Sequence, residues 1–144
     1  MKFSFYADKE RNEVIVYAPE KNELITEIEH LARKNSSELI GYKNKEAIKL
    51  SPDEILCFIS ENNRVFAVTE KEKLLLRLRL YQLEESLSSN FVKINQSCIA
   101  NIRQIKKFNA SFSGTLQVTF KNGYTDYVAR RRLKEVKERL GVKL

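Results

Sequence analysis

The chain has 144 residues, 42% of them hydrophobic, with only 4 Gly and 2 Pro, which fits one compact domain with a core and excludes a long flexible linker or a disordered chain. Net charge is +7 and sits at one end: residues 1–50 hold 9 Lys/Arg and 9 Asp/Glu, residues 51–90 hold 5 and 7, and residues 91–144 hold 12 and 3. Charge sorted in this way points to a polyanionic partner, nucleic acid being the commonest. The longest apolar runs, Val14–Ala18 and Ile55–Ile59, are too short for a membrane span or a signal-peptide core, so the expectation is a soluble cytoplasmic protein.

From the N-terminus, KFSFY and EVIVYA read as two short strands separated by polar residues 7–12. PEKNELITEIEHLARKN reads as an amphipathic helix, with Pro19 in its first turn and Leu24, Ile25, Ile28, Leu31 and Ala32 in one stripe. Acidic residues crowd its start and Arg33-Lys34 close it, as the helix dipole prefers. His30 lies beside the stripe and reads as a partly exposed helix residue rather than a catalytic one. Residues 1–37 are thus expected to form a small α/β lead-in, with a boundary near 36–38.

Beyond that boundary the pattern is mostly β. ELIGY and EAIKL flank KNK as a hairpin, and EILCFIS and RVFAVT flank Glu61-Asn62-Asn63 as another. LLLRLRL reads as a half-buried strand, with Leu74, Leu76, Leu78 and Leu80 on one face and Leu75, Arg77 and Arg79 on the other. YQLEESLSS allows a short helix, Leu83 and Leu87 lying one turn apart. FVKI and CIA are strand-like pieces around a polar knot, Asn95-Gln96-Ser97. QIKKFNA and TLQVTF flank Ser111–Gly114, and TLQVTF and YTDYVA flank Lys121-Asn122-Gly123, where Asn-Gly is a strong hairpin turn. RRRLKEVKERLG closes the chain as a short helix, with Leu133, Val136 and Leu140 in register and Gly141 as C-terminal cap. Cys57 and Cys98 fall in apolar strand segments and read as buried reduced thiols.

No Gly-rich phosphate loop and no nucleophile elbow is present, and a single His with two Cys does not make a four-ligand metal site without carboxylates. The expectation is a non-enzymatic protein without a cofactor. The polar knot then needs a purpose, because three hydrogen-bonding side chains stand together in the most basic part of the chain. Amide side chains pair with adenine and Ser bonds phosphate; the alternative is a polar turn that only redirects the strand.

FVKINQSCIAN at residues 91–101 resembles the hallmark segment of LytTR-type DNA-binding domains: an aromatic and a basic residue open a strand, a polar pair and Ser follow, then apolar residues and Asn. FKNGYTDYVARRRLKEVKERLG is similar to the family's closing hairpin, Arg-bearing turn and terminal helix, and EILCFISENNRVFAVT to its first hairpin. The resemblance covers residues 38–144, and the whole chain looks like the short stand-alone regulators of Gram-positive bacteria that carry no receiver domain. It implies a mostly β fold of antiparallel sheets that binds double-stranded DNA through loops, at repeated half-sites, as a transcription regulator.

By position in that pattern, Gln96 with Asn95, Arg131, and more loosely Asn63 and Arg64 are the base-reading residues it implies. Lys93, Ser97, Tyr127, Arg130, Arg132 and Lys134 are the phosphate contacts it implies. Three Arg at a helix start oppose the dipole, which makes sense where an anion sits. The sequence departs from the pattern at Ala129, where many relatives have Ser, losing one cap or phosphate contact, and in its all-amide polar pair, where many have His or Lys; the resemblance therefore implies DNA binding but no particular base preference. The resemblance further implies a homodimer, with residues 1–37 as dimer or partner surface, and a small membrane-protein regulator as partner. Two rival readings are a single-stranded nucleic-acid binder, using Phe91, Phe108, Phe112 and Tyr124 to stack bases, and a basic protein-interaction domain.

Overall fold

The computed structural model describes residues 2–10, 13–34, 39–110, 114–141 and 143. Helix α1 spans Glu23–Lys34, followed by strands β1 (Leu39–Lys43), β2 (Glu46–Leu50), β3 (Ile55–Glu61), β4 (Arg64–Thr69) and β5 (Lys73–Leu76). Helix α2 (Leu80–Ser86) leads to β6 (Phe91–Asn95), β7 (Cys98–Asn101), β8 (Ile105–Ala110), β9 (Leu116–Phe120), β10 (Thr125–Val128) and helix α3 (Leu133–Leu140). The strands form a seven-stranded sheet in the order β2-β1-β5-β4-β3-β7-β6 and a three-stranded sheet in the order β10-β9-β8. Every pairing is antiparallel.

The unbroken apolar run Ile55–Ile59 is explained by its place in the larger sheet. Side chains alternate between the two faces except at an irregularity between Ile55 and Cys57, and both faces are covered. Ile55 and Phe58 pack with Leu80, Leu83 and Leu87 of α2 and its flank, whereas Leu56, Cys57 and Ile59 pack with Leu116, Val118 and Phe120 of the smaller sheet and Val136 of α3. Short turns set the register. Asn44-Lys45 and Asn62-Asn63 join their hairpins with both central residues at positive φ, the geometry that matches the twist of the flanking strands. Gly41 lets β1 cross Leu74 closely, since a Cβ there would meet the Leu74 Cβ at 2.7 Å.

Two buried asparagines tie the sheet ends. Asn101 donates Nδ2–H to the Ile55 carbonyl at 2.8 Å and accepts the Arg103 N–H at 3.1 Å, so the closing Asn of the hallmark segment is a structural brace. Gly141 ends α3 in the left-handed region at φ 67, as the sequence predicts. Cys57 and Cys98 are both free and buried. A hydrogen bond to Cys57 and burial together hold the Cys98 thiol well above the usual thiol range. Neither thiol is expected to react with a disulfide reagent in the native protein, and both react once denaturant opens the sheet; rapid labelling of the folded chain would contradict this packing.

Three expectations need correction. KFSFY and EVIVYA form no strand in their described residues, and their side chains are exposed, Phe3 to 87% and Tyr17 to 92%. Alternation makes a strand only where a ladder partner exists, and the described residues supply none to these segments. Pro19 lies outside α1, because Asn22 caps the helix four residues before Thr26: its Oδ1 accepts the Ile25 N–H at 3.0 Å and its carbonyl the Thr26 N–H at 3.1 Å. The strand through LLLRLRL stops at Leu76; Leu78 is exposed and Leu80 is already the first residue of α2, buried against the core. The Ser111–Ser113 part of one predicted turn lies outside the described residues, but β8 and β9 pair as a hairpin should.

Candidate nucleic-acid interface

Sheet register brings separate loops to one edge. In the larger sheet β3 ends where β4 begins, at Glu61↔Arg64, and β7 begins beside the end of β3, at Ile59↔Cys98. The Gln96-Ser97 turn between β6 and β7 therefore stands next to the Asn62-Asn63 turn, and the Ser60 N–H donates to the Ser97 carbonyl at 2.8 Å. The smaller sheet joins the same edge through β10: the Ala129 N–H donates to the Ile94 carbonyl at 2.8 Å. The chain then turns through a 3-10 segment, Arg130–Arg132, into α3.

Asn95 holds this junction. It is 3% exposed, although Gln96 and Ser97 directly after it are exposed. Its Nδ2 donates to the Asp126 carboxylate at 3.0 Å and to the Tyr127 carbonyl at 2.8 Å, and its Oδ1 accepts the Ser97 N–H at 2.8 Å. Both donors and the acceptor are thus engaged inside the protein. The base-reading role predicted for Asn95 is corrected accordingly: it is the brace that fixes the Gln96-Ser97 turn to the end of β10. Asp126 also accepts the Tyr127 N–H at 2.8 Å, extending the brace.

The other predicted residues divide into two groups. Asn63, Arg64, Gln96, Ser97, Tyr127, Arg130, Arg131 and Lys134 are exposed, on the loops of this edge or on the elements they lead into. Lys93 and Arg132 instead line a cleft of about 270 Å³ between α2, β6 and α3, together with Glu84, Glu135 and Arg139. The Lys93 side chain is 19% exposed and lies 3.7 Å from the Glu84 carboxylate; the Arg132 Nε is buried in the cleft wall. Both are half-buried: strand alternation turns Lys93 to the α2 side of the sheet, where Glu84 meets it, and Arg132 lines the same cleft.

A further basic group was hidden in the sequence. Arg77 and Arg79 line an open cleft of about 540 Å³ with Asn63, Arg64 and Gln82. Leu-Arg alternation made them look like the solvent face of a strand. The signal that β5 ends earlier is the helix start itself, where the Arg79 N–H donates to the Gln82 side chain at 2.9 Å. The aromatic platform needed by a single-strand binder is not displayed here: Phe91 is buried, Phe108 and Tyr124 are half-buried against the second core cluster, and Phe112 lies outside the described residues.

The family model for the LytTr DNA-binding domain matches residues 45–141. Over 99% of its length the chain is 31% identical to an uncharacterized HTH-type transcriptional regulator of Staphylococcus aureus strain MSSA476, itself covered to 99%. Identity and coverage are the same for a protein of that description from Staphylococcus aureus strain NCTC 8325. A solved LytTr DNA-binding domain from Bacillus cereus superposes with a TM-score of 0.70 at 17% identity, covering 74% of this chain and 99% of that one. The helix-turn-helix wording of the relatives has no counterpart among the described residues, where α2 and α3 are separated by five strands and α1 and α2 by another five. The match over most of the β-rich region, the full-length relatives and the shared sheet architecture agree, and the chain belongs to the LytTR DNA-binding domain family.

Proposed function

We propose that the protein is a cytoplasmic transcription regulator that reads double-stranded DNA with the loops of this edge. The observation that carries the reading is the convergence of the Asn62-Asn63, Gln96-Ser97 and Arg130–Arg132 segments, from distant parts of the chain, on one side of the sheets. Gln96 and Arg131 are the base readers in this account, an amide for adenine and a guanidinium fork for guanine. Arg64 and Asn63 contribute from the neighbouring turn. Ser97, Tyr127, Arg130 and Lys134 hold phosphates, which position the duplex without reading it.

Selection of bound duplexes from a random pool tests this directly. A motif repeated about one helical turn apart should be enriched, as paired copies of one domain require. On that motif, log affinity should fall linearly with log salt, by roughly 0.9 per phosphate contact. A pool that yields no motif, or a salt slope near zero, overturns the reading.

The lead-in is the proposed homodimer surface. Phe3, Phe5, Val14, Tyr17, Leu24 and Leu31 are all exposed there, a concentration of apolar area that a lone soluble chain rarely carries. Sedimentation should give twice the chain mass for the full protein and the single-chain mass for Leu24→Glu/Leu31→Glu, with the fold of the β region unchanged. A monomeric parent protein would transfer this surface to a different partner, such as the small membrane-protein regulator that the family resemblance implies.

A further inference from the structure

From the open cleft beside the Asn62-Asn63 turn, we infer that Arg77 and Arg79 form a second phosphate clamp, extending the DNA footprint past the reading loops. The inference rests on the DNA-reading interface proposed above and adds residues to it. Val65↔Leu76 pairing places the end of β5 beside the start of β4, so the segment after Leu76 emerges at the same edge as Arg64. Arg64, Arg77 and Arg79 then share one cleft whose lining contains no Asp or Glu. Three guanidinium groups with no carboxylate among them repel one another, a cost that a bound polyanion offsets.

Four of the seven acidic residues of segment 51–90 lie at the far end of the strands, and Glu61, beside the Asn62-Asn63 turn, is paired with Lys73 at 2.9 Å. Asp53, Glu54, Glu70 and Glu72 line a cleft at the opposite edge of the sheet, around the start of β3 and the β4–β5 connection. Arg64, Arg77 and Arg79 of this segment thus face the same way as the reading loops. Arg77 is also held in place. Its guanidinium lies over the Tyr42 ring, 4.2 Å from the centroid, a cation–π contact that steadies the side chain.

Geometry sets the length of the footprint. From β6 to β5 the sheet order runs through β7, β3 and β4, four strand spacings. At roughly 4.8 Å each, the clamp stands about 20 Å from the Gln96 turn. That distance corresponds to about six base pairs at 3.4 Å per step. The occupant is thus backbone on the flank of the read sequence, and the clamp holds without specifying.

The test compares the full chain with Arg77→Ala/Arg79→Ala and with Arg77→Lys/Arg79→Lys, on the selected duplex and on a random duplex, at several salt concentrations. Both arginines are exposed, so circular dichroism and thermal melting should match the parent protein. The Ala pair should weaken binding to both duplexes by the same factor and lower the salt slope by about 1.8, at roughly 0.9 per contact, whereas the Lys pair should keep the slope. Trimming base pairs from the flank beyond the Asn62-Asn63 turn should weaken the parent protein and leave the Ala pair unchanged. An Ala pair with parent affinity and slope overturns the clamp while leaving the loop reading intact, and a loss that differs between duplexes overturns its non-specifying role. A parent protein that binds no duplex overturns the DNA reading itself.

Discussion

Asn95→Asp is expected to be the most damaging single change at the interface, costing about 3–5 kcal/mol of stability near neutral pH, the cost of a buried charge without a partner. The native amide donates to the Asp126 carboxylate and the Tyr127 carbonyl while accepting the Ser97 N–H. An ionised carboxylate keeps the acceptor but loses both donors, and it stands against Asp126 as a like charge. Burial and that repulsion both raise the folded-state pKa of the new carboxyl above its unfolded value. The folded form therefore binds the proton more tightly, and the deficit is largest above the raised pKa and shrinks as pH falls through it. Denaturant melts of the variant at several pH values check the sign; a deficit that grows on acidification would contradict the brace. Asn95→Ala removes the same bonds without adding charge and should cost less, about 1–3 kcal/mol, by leaving the Tyr127 carbonyl and Ser97 N–H unpaired. Both variants should also lose operator affinity, because the Gln96 turn and the β10 end are no longer held together.

Arg131→Ala should cost about 1–3 kcal/mol of binding on the preferred duplex and flatten the preference at one base-pair position. Arg131 is exposed at the turn into α3, beyond the backbone bond from Ala129 to Ile94 that anchors that turn to β6. Gln96→Ala should behave alike at a different base pair, because Gln96 comes from the turn between β6 and β7. Neither side chain packs into the core, so both variants should melt like the parent protein. Binding curves on the preferred site, on its single-base variants and on random duplex separate the cases. Equal losses on every duplex would make both residues holding contacts rather than readers.

Most of the β architecture was legible because local and tertiary signals agreed. In β3 and β4 the apolar runs, the Asn-Asn turn and the two covered faces all specify the same hairpin. The N-terminal segments failed for want of a partner: their alternation is real, but a ladder is a property of two strands, and sequence shows only one at a time. Leu78 and Leu80 failed for a related reason, since period two continues through LRLRL while the backbone has already turned into α2. At the interface, the sequence shows residue type but not burial. Asn95 and Gln96 are both amides, yet one is consumed internally by residues more than thirty positions away and the other is exposed. Lys93 and Arg132 carry the right charge but face a cleft shared with Glu84 and Glu135. Arg77 and Arg79 lay in a segment whose net charge is negative, and only the fold places them beside Arg64 in a cleft with no carboxylate in its lining.

The central claim is that one edge of the sheets, and no other surface, meets the duplex. Amide-resolved NMR titration of the full chain with its selected duplex tests this most directly. The account predicts chemical-shift changes concentrated at residues 62–64, 77–79, 96–97 and 127–131, with little change around Asp53, Glu70 and Glu72 at the opposite edge. Changes centred on the exposed Lys106 and Lys107 of β8, with the 96–97 turn and Arg131 unmoved, would contradict it.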